Sequence, residues 1–554
     1  MPALFRSFRR YCLPLAVLPG LGFAPQDPPP TANAQPPTVR DGLMVRIGPA
    51  VMKSIADRVS GPAGLISPVS PRLLVLFCEN DGPLGGRDPI DAPFYRRPQP
   101  IRSVPIDLQE LLADGGQTAI LLGDEIDGVA RVPDRLEDLR GRFNIRAVLD
   151  LGLERGHDAP GNGVSSIIEA DLMPGRQDDI SLTIDEILMP EPLPRRENLV
   201  WIERHSPLLS AALGRPVNHR AGIALPPAYA DPSAERRFWP AVYVIPGFGG
   251  DERDALGWAD LLADRTVAGS MPPAAFIVLD PEDPLGHHGF VDGDNMGPRG
   301  TALVEEFIPW LEKRFRLVDE PAGRMLHGHS SGGWSSIWLQ LEHPDVFGAC
   351  FASAPDPVDF SAFGTVDLLA DDSLHEDPAG QPRPSYRSPI STEIDQIYMT
   401  VAEETAMENA LAPDGTSGEQ WSAWNAMFSG RDPGTRLPRT GYDLTSGCID
   451  RAVVDEDWRR FDITERLRRD PEGTGRILRE RVRILCGSRD SYYLEEAVRR
   501  LDRTLEEIAE IHQLPDGPGS IKIIDGATHD TIVGPAMQQW LPEMAEFARS
   551  SPGR

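Results

Sequence analysis

Lysine is almost absent from this chain of 554 residues, in which only Lys53, Lys313 and Lys522 occur. Arginine therefore supplies nearly all of the positive charge. The 55 basic residues are outnumbered by 84 acidic ones, so the formal net charge is −29. A chain this acidic repels phosphate backbones, which argues against nucleic acid as a partner.

Cysteine is also scarce, with five residues and no C-x-x-C or Cys/His metal-binding spacing. Cys350 and Cys486 lie inside apolar, strand-like runs, where we expect buried free thiols. The run Asp292–Asn295 is acidic, but it lacks the later carboxylate that a calcium loop requires. The sequence therefore predicts no disulfide framework and no metal site, and it indicates no cofactor.

Long hydrophobic runs are missing too, so we expect no transmembrane segment in the mature chain. Near the start, the arginines at positions 6, 9 and 10 precede a short apolar run over residues 12–24, a pattern typical of a secretory signal peptide. We predict that residues 1–34 form this signal, with cleavage before Gln35 or before Pro25. A secreted or periplasmic location would follow, and a disordered N-terminal tail is the alternative.

The rest of the chain divides into regions with different periodicity. Short strand-like runs separated by turn residues predict a β-sandwich accessory domain over residues 41–188. A Pro-rich stretch at 189–196 indicates a linker. From 197 to 554, short apolar strands alternate with amphipathic helices, which predicts an α/β fold with a doubly wound, mostly parallel sheet. A long interruption at about 360–480 predicts a mostly helical cap with loops.

The strongest chemical signal is Gly328-His329-Ser330-Ser331-Gly332, which follows an apolar strand and precedes a helix-like run. This is the G-x-S-x-G pattern of a nucleophile on a tight strand-to-helix turn. The glycines are needed because side chains there would strike the neighbouring strand or helix. The pattern predicts that Ser330 is a nucleophile at the carboxyl edge of the sheet.

A serine hydroxyl needs a histidine to take its proton and a carboxylate to orient that histidine. Both follow in the order Ser, acid, His, each directly after a predicted strand: Asp490 and then His529. Two other acids, Asp525 and Glu495, compete for the role of Asp490. The oxyanion of the reaction would be bound by the backbone N–H of Ser331 and that of Phe248 in a glycine-rich loop.

Candidates for substrate binding are weaker. Trp421, Trp424 and Phe428 share one face of a predicted helix in the cap, where they form either an acyl- or aryl-binding wall or simply a packed core. Arg299 lies at the end of a loop that we expect to border the mouth of the site.

Taken together, these motifs resemble the esterase D-like putative esterase family, a branch of the α/β-hydrolases that includes feruloyl and enterochelin esterases and mycolyltransferases. The resemblance spans about residues 195–550 and is carried by these segments: Gly247–Gly250, Glu306–Leu311, the turn at Ser330, His343–Gly348, Asp490 and His529. It implies an α/β-hydrolase fold. The N-terminal region resembles, much more weakly, the β-sandwich accessory domains of some bacterial members.

The function that this resemblance implies is that of a secreted serine carboxylesterase acting on small-molecule or polymer-linked esters. An acyltransferase with the same triad is the alternative. A non-catalytic binding or adhesion protein is disfavoured by the complete order of Ser330, Asp490 and His529. Because all three lie beyond the linker, a chain that begins near Arg195 is expected to keep some activity.

Overall fold

The computed structural model describes residues 43–60, 67–80, 86–91, 98–115, 119–153, 156–173, 180–264, 271–391 and 394–551. The predicted signal peptide at 1–34 lies outside the described residues. Within these ranges, none of the helices is both long and apolar enough to cross a membrane.

The N-terminal region is built mainly from strands. Its elements are β1 (Leu43–Ile47), α1 (Pro49–Val59), β2 (Arg72–Glu79), β3 (Ile101–Pro105), α2 (Leu108–Asp114), β4 (Ile120–Leu121), β5 (Ala130–Val132), β6 (Gly141–Asp150), β7 (Gly163–Ser165), β8 (Ile168–Leu172) and β9 (Ile180–Ile187). The predicted mostly-β character of this region is confirmed.

One detail differs from the predicted sandwich, because these strands form a single nine-stranded sheet in the order β4-β1-β9-β7-β6-β2-β3-β5, with β8 also paired to β6. The long strand β6 pairs with β2 along one edge, while its two halves pair with β8 and β7 along the other. Helix α1 supplies Val51, Met52 and Ile55 to the core on one face of this sheet. The helix therefore covers part of the face that a second sheet would cover in a sandwich.

The second region alternates strands and helices. Before the cap it contains β10 (Leu199–His205), α3 (Pro207–Leu213), β11 (Asn218–Ala224), β12 (Ala241–Ile245), α4 (Ala255–Ala263), β13 (Ala275–Leu279), β14 (Glu282–Asp283), β15 (Gly286–His287), β16 (Asp292–Gly293), β17 (Gly297–Pro298), α5 (Arg299–Ala302), α6 (Ile308–Phe315), β18 (Arg324–His329), α7 (Ser331–Glu342) and β19 (Ala349–Ser353). A π-helical turn over Leu303–Phe307 joins α5 to α6.

The cap and the end of the chain follow. They contain β20 (Pro384–Pro389), β21 (Asp395–Thr400), α8 (Val401–Leu411), α9 (Gln420–Phe428), α10 (Arg451–Val453), α11 (Ile463–Arg469), α12 (Pro471–Arg481), β22 (Val482–Gly487), α13 (Glu495–His512), β23 (Ser520–Ile524) and α14 (Val533–Ser550). The cap is mostly helices and loops, as predicted, but it also contains the antiparallel hairpin of β20 and β21.

The central sheet has eight strands in the order β10-β11-β13-β12-β18-β19-β22-β23. The pairs formed by β10 and β11 are antiparallel, and all the others are parallel. The predicted α/β-hydrolase fold is confirmed. Since the parallel strands end at the same edge, the loops after β12, β18, β22 and β23 lie together there.

The two regions share a hydrophobic core. Leu74 and Leu76 of β2 pack in one cluster with Met407 and Leu411 of α8, on the sheet face opposite to α1. The hydroxyl of Ser103 in β3 also donates a hydrogen bond of 2.6 Å to the carbonyl of Ala410. A helix of the cap is therefore held against the N-terminal sheet.

This shared core changes the expectation for the isolated second region. A chain that begins at Arg195 would expose Met407 and Leu411, which are buried in the full chain. Burying an aliphatic side chain stabilises by about 1.5–3 kcal/mol, so we expect the melting temperature to fall by roughly 10 °C. Helix α8 also carries a wall residue of the active-site cavity described below, so kcat/KM should fall as well.

The control for this truncation is a chain that begins at Leu43, which removes only residues outside the described ranges. Melting temperatures and rates of ester hydrolysis are compared for the chains that begin at Arg195 and at Leu43. Equal melting temperatures and equal rates for the two chains would contradict the structural role of the N-terminal sheet.

Candidate active site

The turn between β18 and α7 places Ser330 in an unusual backbone conformation. Its φ is 58° and its ψ is −128°, a positive-φ geometry that costs a residue with a side chain roughly 1–3 kcal/mol. A Cβ added at Gly328 would overlap the carbonyl oxygen of Gly332, and one added at Gly332 would overlap that of Ile245. Both motif positions therefore require glycine, and the turn presents Ser330 at the carboxyl edge of the sheet.

Asp490 and His529 form a buried pair at the same edge. The Nδ1 atom of His529 lies 2.8 Å from Oδ2 of Asp490, with 4% of the histidine side chain and none of the aspartate side chain exposed. Because a carboxylate only accepts, Nδ1 carries the proton and Nε2 is left as the basic nitrogen. Burial disfavours the imidazolium, but the charge and hydrogen bond of Asp490, with the charges of Asp530 and Asp356, outweigh this effect, so the pKa of His529 lies above its ordinary value.

Two hydrogen bonds hold Asp490, in the loop after β22, beside His529. The backbone N–H of Tyr492 donates to Oδ1 of Asp490 over 2.9 Å, and the guanidinium of Arg387 in β20 donates to its carbonyl over 2.8 Å. The two competing acids are engaged elsewhere. Glu495 is paired with Arg387, and Asp525 accepts from the hydroxyl of Ser488.

The glycine-rich loop after β12 lies against Ser330. A Cβ added at Gly247 would sit 3.2 Å from the Cβ of Ser330 and 3.9 Å from its Oγ. The carbonyl of Pro246 accepts a hydrogen bond of 3.0 Å from His287, which anchors the start of this loop. Phe248 lines the same cavity as Ser330, and Ser331 begins α7. The two predicted oxyanion donors thus belong to segments that flank the serine.

A cavity of about 240 Å³ contains both Ser330 and His529. The side chains of Trp421 and Trp424 line it, so the structure brings these two candidates to the site. Other wall residues come from the cap and the loop after β19, and they are Asp356, Phe363, Ser385, Tyr386, Met399, Glu404 and Glu419.

Asp356 is a wall residue that the sequence analysis missed. Its buried carboxylate accepts hydrogen bonds from the hydroxyl of Ser331 over 2.7 Å and from the indole of Trp424 over 3.1 Å. Burial raises the pKa of this carboxyl, although both hydrogen bonds oppose that shift. Its position shortly after β19, at the edge that carries the other loops, is the signal that could have indicated it.

Two predicted binding residues are not brought to this cavity. Phe428 points from α9 into the core, where its ring centre lies 5.2 Å from those of Trp334 and Trp458. Arg299 is buried in a separate place because its guanidinium pairs with the buried Asp283 and donates to the carbonyl of Met296 over 2.8 Å. Arg299 is therefore not among the residues that line the cavity around Ser330.

In the part of the chain that the structure describes, no group of three or more His, Cys, Asp or Glu side chains is arranged to hold a metal ion. Ser330, His529 and Asp490 are residue types that can serve as a nucleophile, a base and an orienting acid.

Comparison with known proteins gives a family match over residues 210–433, to the family described as Putative esterase. The matched segment includes Ser330 and the glycine-rich loop, and it ends before Asp490 and His529.

Among curated proteins, the chain is 28% identical over 142 residues to the uncharacterized protein YbbA of Bacillus subtilis, which is 24% of this chain and 54% of that protein. It is also 28% identical over 174 residues to Esterase Rv1288 of Mycobacterium tuberculosis, covering 29% of this chain and 32% of that protein. The chain therefore spans about half or less of the curated relatives it matches.

Among solved structures, a ferulic acid esterase superposes with a TM-score of 0.37 and 16% identity, over 63% of this chain and 98% of that one. An S-formylglutathione hydrolase from Agrobacterium tumefaciens superposes with a TM-score of 0.34 and 15% identity, over 63% and 95% of the two chains.

Proposed function

Because residues 210–433 match the family described as Putative esterase, we propose that this chain is a serine hydrolase that cleaves carboxylic esters through an acyl-enzyme on Ser330. The observation that carries this proposal is the buried His529–Asp490 pair at 2.8 Å, whose histidine lines the same cavity as Ser330. A serine, a histidine and a carboxylate in this order are the parts that acyl transfer requires.

In the proposed first step, Nε2 of His529 takes the hydroxyl proton of Ser330 while Oγ attacks the ester carbonyl carbon. The imidazolium that forms is stabilised by Asp490. The negative charge that develops on the carbonyl oxygen is held by the backbone N–H groups of Phe248 and Ser331, and the dipole of α7 favours it as well.

Collapse of this intermediate breaks the ester C–O bond, and His529 returns the proton to the departing alcohol. Water then repeats the sequence on the acyl-enzyme and releases the carboxylic acid, which restores Ser330. Replacement of water by an alcohol acceptor in this second half would make the same site an acyltransferase.

The test is a panel of p-nitrophenyl esters of increasing acyl length, with a feruloyl ester included because the sequence resemblance extends to feruloyl esterases. The cavity of about 240 Å³ is somewhat smaller than the pockets that hold drug-sized ligands, so we expect short acyl or single-ring aryl groups to be preferred. Product analysis with and without an added alcohol separates hydrolysis from acyl transfer. Absence of turnover on the whole panel would contradict the proposal.

Trp424 is proposed to limit the acyl group that the cavity accepts. The Trp424→Ala change enlarges the cavity, and a pocket distinguishes single methylene groups by about tenfold or more. We therefore expect the ratio of kcat/KM for the hexanoate and acetate esters to rise by about tenfold.

The matched control is Phe428→Ala on the same helix, since Phe428 packs in the core and not in the cavity. It should lower the melting temperature and leave the hexanoate-to-acetate ratio unchanged. If Trp424→Ala also lowers only the melting temperature, Trp424 is core and not part of the substrate wall.

We also propose export of the protein, on the sequence of residues 1–34 alone. Intact-mass measurement of protein from its native cells should then give an N-terminus near Gln35 or Pro25, whereas a cytosolic form that keeps Met1 would contradict export.

A further inference from the structure

The cavity around Ser330 is acidic on its walls. Four carboxylic side chains line it, those of Asp254, Asp356, Glu404 and Glu419, whereas no lysine or arginine is among its described lining residues. Aromatic rings supply much of the remaining wall. A cavity of this composition attracts cations and disfavours anions.

Most of these acids have partners within the protein. Asp356 accepts from Ser331 and Trp424, as described above. Glu404 accepts from the indole of Trp421 over 2.9 Å and from the hydroxyl of Ser385. Their hydrogen-bonding needs are met in the empty cavity.

Glu419 is the exception. Its side chain is only 9% exposed, and among the described residues its carboxylate makes no hydrogen bond. The nearest cationic candidate is Nδ1 of His157, in the N-terminal region, at 4.0 Å, which is too long for a hydrogen bond. The other ring nitrogen of His157 lies 3.0 Å from the carbonyl of Ile90 and donates to it, so in the neutral ring Nδ1 is an acceptor.

The ionisable groups around Glu419 include several other carboxylic acids. Burial, together with the neighbouring carboxylates of Glu408 and Asp158 among others, raises the pKa of Glu419 well above its ordinary value. Burial and the charge of Glu404 likewise raise the pKa of Glu408 to about 8. None of the described residues thus places a cationic group within hydrogen-bond distance of Glu419, which lines the cavity.

We propose that Glu419 and the indole of Trp421 form a subsite for a cationic ammonium group carried by the ester substrate. A bound cation favours the ionised form of Glu419, whose carboxylate then supplies the counter-charge. The aromatic ring faces add cation–π attraction, and together these groups recognise quaternary ammonium groups. A neutral hydroxyl could form a hydrogen bond with Glu419, but it would bring no positive charge to this group of acids. This subsite rests on the ester hydrolysis proposed for Ser330.

Two isosteric substrate pairs test the proposal on the full chain. In the first, the cation is on the alcohol side: choline butyrate against 3,3-dimethylbutyl butyrate. In the second, it is on the acyl side: the p-nitrophenyl ester of 4-(trimethylammonio)butanoate against that of 5,5-dimethylhexanoate. Wild type should have a kcat/KM at least about tenfold higher for the charged member of one pair.

The Glu419→Gln change should remove this preference, so that its kcat/KM values for the charged and neutral members of the pair lie within about twofold of each other. Glu510→Gln is the matched control, because Glu510 is exposed on α13 and its replacement changes the net charge equally. It should keep the preference. Equal rates for both members of both pairs in wild type would overturn the subsite.

Binding is also measured without turnover. Tetramethylammonium chloride, compared with sodium chloride at equal ionic strength, should raise the melting temperature of wild type and of Glu510→Gln but not that of Glu419→Gln. If no ester is hydrolysed while this stabilisation is seen, the esterase proposal fails and the cation subsite stands. If esters are hydrolysed without charge preference and without stabilisation, the subsite fails alone.

Discussion

Replacing Ser330 with alanine should lower kcat for ester hydrolysis by about 10⁶-fold while the fold persists. The change removes the hydroxyl that we propose to form the acyl-enzyme, and alanine still fits the turn between β18 and α7. His529→Ala should be about as severe, because nucleophile and base act as one unit and their losses do not add. Initial rates and circular dichroism on purified protein check both outcomes.

The control is Ser335→Ala on the same helix, whose hydroxyl donates to the carbonyl of Ser331 over 2.6 Å inside α7. This change removes a buried hydroxyl close to the site and leaves Ser330 in place. Because a hydrogen bond contributes about 1 kcal/mol, activity should stay within about tenfold of wild type. A Ser330→Ala protein that keeps a rate near that of Ser335→Ala would show that another group performs the reaction.

Asp490→Asn should lower kcat by about 10⁴-fold. An asparagine amide can donate to Nδ1 of His529, which favours the tautomer whose Nε2 carries the proton and therefore cannot take one from Ser330. The matched controls are Asp525→Asn and Glu495→Gln, which remove the two other acids of the same edge. Both variants should stay active, since Asp525 accepts a hydrogen bond from Ser488 and Glu495 accepts one from Arg387. An active Asp490→Asn beside an inactive Asp525→Asn would mean that the orienting acid belongs to the next loop.

The parts of the site that follow from local sequence could be predicted. Glycine is required at 328 and 332 because of backbone atoms within a few residues of Ser330 or on the adjacent strand. The motif and its strand-to-helix context were therefore sufficient to predict this turn. Asp490 was placed by its position after a buried apolar strand, because parallel strands end at one edge of the sheet.

The parts that depend on distant contacts could not be predicted. Arg299 was expected at the mouth of the site, but its ion pair with Asp283 is invisible in the spacing of the two residues. The periodicity of Trp421, Trp424 and Phe428 indicated one helix face correctly. It could not show that Trp421 and Trp424 line the cavity while Phe428, farther along the same helix, packs in the core.

The same dependence on distant contacts explains why the sequence did not predict a single sheet in the N-terminal region. The strand pattern gave its β character, but whether strands close into two sheets or one depends on pairings such as that of β6 with both β7 and β8. Likewise, the contact between Ser103 and Ala410 joins residues that are far apart in the chain. Glu419 was overlooked because nothing in its immediate sequence shows that it is buried without a partner.

The most direct test of the central claim is the site of covalent labelling by a fluorophosphonate, which reacts with an activated serine. Peptide mass spectrometry of labelled wild type should find one adduct, on Ser330, and the Ser330→Ala protein should carry none. Labelling that persists at another serine in Ser330→Ala would contradict the assignment of the nucleophile.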